Sequence, residues 1–173
     1  KKDNDFFFPP RQSDALSLQT VGELMHTRLP KAYGYSPLWD IQVIAPTRAG
    51  ALGTAALNAH LQTLLNPASP DKREATFMGT VFREGDKVMQ IRNNYDIPYT
   101  RDDESKNTGV FNGDIGVIET IDRASRPLFI RYEDRLAEYS FELLEQLELA
   151  YAITVHKSQG SEFEAVILPL MNY

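Results

Sequence analysis

Residues 40–62 read DIQVIAPTRAGALGTAALNAHLQ. Ile41, Val43, Ile44 and Ala45 form a short run apolar on both faces, the pattern of a central strand in a parallel sheet covered on each side. The run ends at Pro46 in TRAGALGT, a glycine-rich turn. Leu57, Leu61, Leu64 and Leu65 then share one face of a helix that Asn66 and Pro67 close. Strand, glycine turn and helix in that order make half of a βαβ unit, and the fold class that follows is α/β.

Upstream, Leu18, Val21, Leu24, Met25 and Leu29 recur at helical spacing, with Ser13 as N-cap and Pro30 as the stop. The preceding DFFFPP predicts a short strand closed by Pro9 and Pro10. Downstream the pattern changes from about Thr76. TVFREGDKVMQIRNN, GDIGVIETID and PLFIRYEDRLAEYS are short β-branched and aromatic runs with partial two-residue alternation, broken by Gly85, Asn112, Gly113, Gly116 and Pro127. They predict an all-β insert over 76–147, a small barrel, set into an α/β domain made of 1–75 and 148–173. Within the insert, NYDIPYTRDDESKNTG is polar and turn-rich and reads as an exposed, mobile loop.

The α/β part resumes in AYAITVHKSQGSEFEAVILPL, Ala150 to Leu170, two apolar runs with polar residues held between them. In open parallel sheets ligands collect where loops leave the carboxyl ends of strands. With ITV as a strand and HKSQG as the turn or short helix after it, the first amides face outward as an anion site. Thr154, His156, Lys157 and Ser158 surround it with side-chain donors. Local capping by Ser158 and a solvated Lys157 are the plainer reading of the same residues.

With 24 acidic against 18 basic residues the net charge is −6 and the pI about 5.1, so the surface as a whole repels polyanions. Any nucleic-acid contact is therefore local, made by a few donors in a groove. The absence of cysteine excludes disulfides and thiolate metal sites, and His26, His60 and His156 are too widely spaced for a familiar metal motif; no metal site is expected. No apolar run reaches the ~20 residues that span a bilayer, so a soluble, cytoplasmic protein is expected. A chain that starts at Lys1 and stops just after a strand-like run is expected to be a piece of something longer.

The stretch AYAITVHKSQGSEFEAVILPL resembles motif V of the superfamily-one helicases, in the form carried by the RecD-like group. Pif-like relatives share HKSQG but usually continue with Leu-Thr, where this chain has Ser161, Glu162 and Phe163. DIQVIAPTRAGALGTAALNAHLQ resembles the strand, loop and helix that precede the insert in the same group, and FREGDKVMQIRNNYD with FNGDIGVI resembles its inserted SH3-like barrel. The resemblance implies a partial RecA-like sheet domain of the P-loop NTPase type carrying that barrel. It implies a DNA helicase or translocase that uses ATP and Mg2+ and moves on single-stranded DNA, 5′ to 3′ in the characterised RecD-like enzymes.

By carry-over, Thr154, His156, Lys157 and Ser158 touch DNA phosphates, Gln159 and Gly160 approach the nucleotide phosphates, and Glu162 accepts from the ribose hydroxyl. Arg48, in the turn after the first strand, is placed to reach DNA or an adjacent acidic residue, and Thr54, at the start of the next helix, is placed to meet a phosphate. Tyr95, beside Arg92, Asn93 and Asn94, is an aromatic suited to stacking on a base. The partner implied within the same polypeptide is an N-terminal RecA-like domain, and recombination or repair partners follow only as a class. No G-x-x-x-x-G-K-S/T occurs here, and the implied magnesium carboxylates and arginine motif are also missing, so the chain alone is not expected to hydrolyse ATP. Two other readings stay open: a non-catalytic interaction module built on the barrel, and the helicase part of a conjugative relaxase.

Overall fold

The computed structural model describes residues 6–11, 13–122 and 127–170. Helix α1 (Asp14–Glu23) starts where Ser13 Oγ accepts the Leu16 amide at 3.2 Å. A π-helical turn (Leu24–Arg28) leads directly into α2 (Leu29–Tyr33), so Pro30 does not stop the helix as expected. Its ring falls in the first turn of α2, and the wider π turn before it accommodates the missing amide donor. The helix ends instead at Gly34, left-handed at φ +71°. Phe6 to Pro10 adopt no strand, which corrects the expectation for the described part of DFFFPP.

Strand β1 (Ile41–Ala45) is buried along its whole length and is followed by α3 (Thr54–Leu65). The β part comprises β2 (Glu74–Phe77), β3 (Thr80–Arg83), β4 (Lys87–Gln90), β5 (Asn94–Arg101), β6 (Lys106–Val110), β7 (Ile115–Ile121), β8 (Leu128–Tyr132) and β9 (Arg135–Tyr139). After a 3-10 turn (Phe141–Gln146) come β10 (Leu147–Leu149), β11 (Ala152–Thr154), the one-turn helix α4 (Val155–Ser158) and β12 (Ala165–Ile167).

The parallel sheet expected from the apolar runs is present. Its order is β11-β1-β12, with Val43 opposite Ala152, Ala45 opposite Thr154 and Ile41 opposite Ala165. Val21 and Met25 from the first helix pack with Leu57 and Leu61 of α3 against Ile41, Val43 and Tyr151.

The larger sheet is antiparallel, in the order β10-β4-β7-β8-β9-β5-β6, and β2 and β3 form a separate hairpin. The end strands β10 and β6 are not paired with each other, so the sheet is open where a closed barrel was expected. The sequence 94–109 is no loop: it forms β5, the turn after it and most of β6. Ile97 and Tyr99 alternate into the core formed with Val88, Val110, Ile118, Leu128, Ile130 and Tyr139. Asp96, Pro98 and Lys106 to Thr108 around them are exposed, which hid the period in a stretch rich in Asp, Asn and Thr.

The two parts meet across a seam. Ile44 and Ile153 of the parallel sheet bury against Met89 of β4 and Ala150. Beside this apolar contact the Asp86 carboxylate accepts from Gln62 (2.7 Å), Asn66 (2.8 Å), the Tyr151 hydroxyl (2.7 Å) and the Arg83 amide (2.7 Å). Burial and this neighbouring carboxylate push the Tyr151 hydroxyl above its ordinary range, so it remains a donor. Asn58 of α3 donates to the carbonyls of Leu149 and Ala152, each at 3.0 Å, and accepts the Ala152 amide at 2.9 Å, fixing where β11 starts. Among the described residues no helix is long and apolar enough to cross a membrane.

Candidate nucleic-acid interface at the end of the parallel sheet

β11 delivers Thr154 to the carboxyl edge of the sheet in extended conformation, and its hydroxyl accepts the Lys157 amide at 3.4 Å, which starts α4. Ser158 Oγ donates to the Val155 carbonyl at 2.7 Å, a local bond that leaves its lone pairs free. Gly160 then turns the chain at φ +81°, a conformation that favours glycine, and the Ser161 amide reaches the Ser158 carbonyl at 3.1 Å. The polar stretch is thus a tight turn at the carboxyl end of β11, from which the chain runs back to start the parallel strand β12, with one of its leading amides already satisfied internally.

Across from this reversal stands a turn of the β part. Lys157 Nζ donates to Asn112 Oδ1 at 2.7 Å, and the two segments enclose a cleft of about 380 Å³. Asn112, Gly113 and Asp114 line one wall; His156, Lys157, Gln159, Gly160 and Ser161 line the other. Asp114 does not leave an unopposed negative charge there, because Oδ2 accepts from Arg135 at 2.6 Å and from the Phe111 amide at 2.9 Å. An ammonium, an imidazole, two side-chain amides and the Ser161 hydroxyl therefore line one opening, a set suited to anionic oxygen.

The remaining sequence-derived candidates lie elsewhere. Arg48 and Thr54 line a second cleft of about 460 Å³ with Gly79, Thr80 and Val81. There Arg48 is paired to Glu148 at 2.6 Å, both side chains being solvent-accessible. Thr154 is half-buried beneath α4, and Glu162 is exposed just past the cleft, outside the lining of either opening. The wall at 112–114 was not foreseen as part of this site: the Asn-Gly pair signals a turn, but nothing local says that it faces residue 157, 45 positions on.

This parallel sheet, with a donor-rich reversal at its carboxyl end and an antiparallel β part against it, defines a helicase-related segment. Two family models match: the SH3 domain of ATP-dependent RecD-like DNA helicases over residues 57–132, and the UvrD-like helicase C-terminal domain over 149–173. The resemblance to RecD-like superfamily-one DNA helicases thus holds in both parts of the chain.

Among curated relatives, the ATP-dependent RecD2 DNA helicase of Deinococcus radiodurans is 35% identical over 127 residues, covering 73% of this chain and 16% of that protein. An uncharacterized protein of Methanocaldococcus jannaschii is 34% identical over 145 residues, covering 74% of this chain and 12% of the relative. The chain therefore spans only a small share of each relative's length. Bacteroides Pif1 bound to single-stranded DNA is a structural neighbour with a TM-score of 0.46 and 14% identity, covering 93% of this chain and 43% of that one.

Proposed function

We propose that this chain works within an ATP-dependent DNA helicase or translocase, where it holds single-stranded DNA and closes one side of the ATP cleft from a second motor domain. In this reading 1–75 and 148–173 form the RecA-like domain, 76–147 is an inserted SH3-like β module whose sheet stays open, and an N-terminal RecA-like domain completes the nucleotide site. The observation that carries it is the cleft where His156, Lys157 and Gln159 converge on the Asn112 turn. Lys157 has three N–H donors and gives one to Asn112, so two remain for a phosphate without breaking that bond. His156 is exposed on the same wall, and Thr154 and Ser158 shape the turn that presents them. Arg48 and Thr54 are a separate contact region in the second cleft.

For the nucleotide, Gln159 and Gly160 supply an open polar edge, and the exposed Glu162 carboxylate suits a ribose hydroxyl better than a triphosphate of like charge. Among the described residues no group of three or more His, Cys, Asp or Glu is placed to hold a metal, so the chain's fit is to the sugar and phosphate edge. When bound, ATP with Mg2+ would supply the phosphoryl-transfer chemistry, and these residues would orient it from one side. Movement is 5′ to 3′ in this reading, by analogy with the RecD-like enzymes.

Titrating a labelled single-stranded oligonucleotide with the chain over a salt series tests the proposal. Affinity should fall with salt, with a log–log slope of about −0.7 for each phosphate contacted. His156→Ala should weaken binding, and Lys157→Ala, which removes the cleft's cation, should also flatten that slope. A slope near zero, or a His156→Ala variant indistinguishable from wild type, would remove the cleft from DNA binding.

A further inference from the structure

Next to the cleft, outside its lining, lies a surface that joins Tyr95, the aromatic suited to base stacking, to a second ring. Tyr95 and Phe111 meet edge to face, with ring centroids 5.4 Å apart and planes at 70°, and they are 68% and 38% exposed. The other tyrosines of this sheet, Tyr99, Tyr132 and Tyr139, are buried in its core. An open aromatic pair gains little stability for the fold, and its position is fixed with some care.

Phe111 lies over Gly109, where a Cβ would sit 3.0 Å from the ring and where φ is +121°. The Phe111 amide donates to Asp114 at 2.9 Å, the Gly113 amide to the Gln90 carbonyl at 2.8 Å, and the Asn112 amide to Asn93 Oδ1 at 3.0 Å. The last bond ties the loop before Tyr95 to the turn after Phe111. That same Asn112 receives Lys157 across the cleft. The aromatic pair and the cation-bearing cleft are therefore neighbouring parts of one rigid surface.

We propose that Tyr95 and Phe111 form a stacking platform for a base of single-stranded nucleic acid whose backbone lies along the Lys157–Asn112 cleft. The inference rests on the nucleic-acid reading of that cleft and adds base contact to phosphate contact. Flat aromatic faces accept any base, whereas the donors beside them take the phosphate, which is the division of labour in sequence-tolerant single-strand binding. A sugar-phosphate chain without bases should use the cleft and ignore the rings.

The test compares oligo-dT with an abasic oligomer of equal length, each titrated with wild type, Tyr95→Ala, Phe111→Leu and His156→Ala. Phe111→Leu keeps apolar cover over Gly109 while removing the aromatic face. Tyr95→Ala should weaken oligo-dT binding roughly tenfold, the loss of one stacked base, and leave the abasic oligomer and the salt slope unchanged. Phe111→Leu should act in the same direction, while His156→Ala should weaken both ligands. If both aromatic variants bind oligo-dT like wild type while His156→Ala fails, the platform is wrong and the cleft stands. Equal weakening of both oligomers by Tyr95→Ala would also overturn the platform, and binding of neither by wild type would sink the cleft and platform together.

Discussion

Lys87 is 1% exposed, and its ammonium nitrogen donates to the Ile41 carbonyl at 3.1 Å, linking β4 to the first residue of β1. Burial pushes its pKa down from 10.5 to about 7, against the opposing pull of Asp40. The unfolded chain then carries the extra proton between those two values. Stability therefore rises with pH from about 7 toward 10.5, and below about 7 it is flat with the cost of charging the buried amine fully present. Lys87→Met removes this titration and leaves the Ile41 carbonyl short of a donor at every pH. Wild type should gain on that variant by about 1.4 kcal/mol per pH unit within the window. Urea unfolding of both proteins at two pH values inside it gives the difference, in which the other titrations cancel. A gap independent of pH would mean that the folded amine keeps its charge.

The turn that joins β1 to α3 is decided by close approach. At Gly53 a Cβ would stand 2.4 Å from the Ala49 carbonyl oxygen, and φ is an ordinary −75°, so the demand is purely steric. Gly53→Ala should cost about 2 kcal/mol in urea unfolding, because the clash is with backbone that cannot rotate away. A neutral Gly53→Ala would show that the turn yields. This element was legible in advance, since the both-face apolar run of β1, the glycines and the leucine period of α3 are local signals. So was the strand that presents Thr154, because Ala152 and Ile153 are apolar beside their polar continuation. β5 and β6 were not legible, since only Ile97 and Tyr99 carry the period through a stretch rich in turn formers. The site was half legible on the same principle: the His156 wall is written in consecutive residues, whereas the Asn112 wall depends on a tertiary approach. Lys87 and Asp86 gave no warning of burial, because a Gly-Asp-Lys sequence alone reads as a surface turn.

At the scale of the molecule, the cleft exists only if the α/β and β parts keep their relative position, since each supplies one wall. Buried contacts that hold that position include the apolar seam of Ile44, Met89, Ala150 and Ile153, the Lys87 bond to Ile41, and the Gln62, Asn66 and Tyr151 donors gathered on Asp86. Such coupling predicts one cooperative transition. Trp39, next to β1, reports the α/β part by fluorescence, and resolved amide NMR signals of β7, β8 and β9 report the larger antiparallel sheet; in wild type their urea curves should coincide. Asp86→Ala leaves the buried Tyr151 hydroxyl without its acceptor and takes one of two acceptors from Gln62 and Asn66, which keep the Val81 and Glu84 carbonyls; it should lower both curves together by about 3 kcal/mol, while the apolar seam keeps them superimposed. A Trp39 transition that moves while the sheet signal stays would show two parts folding independently. The cleft would then be an occasional juxtaposition, and weaker single-strand binding by Asp86→Ala, whose position lines neither cleft, would follow from that alone.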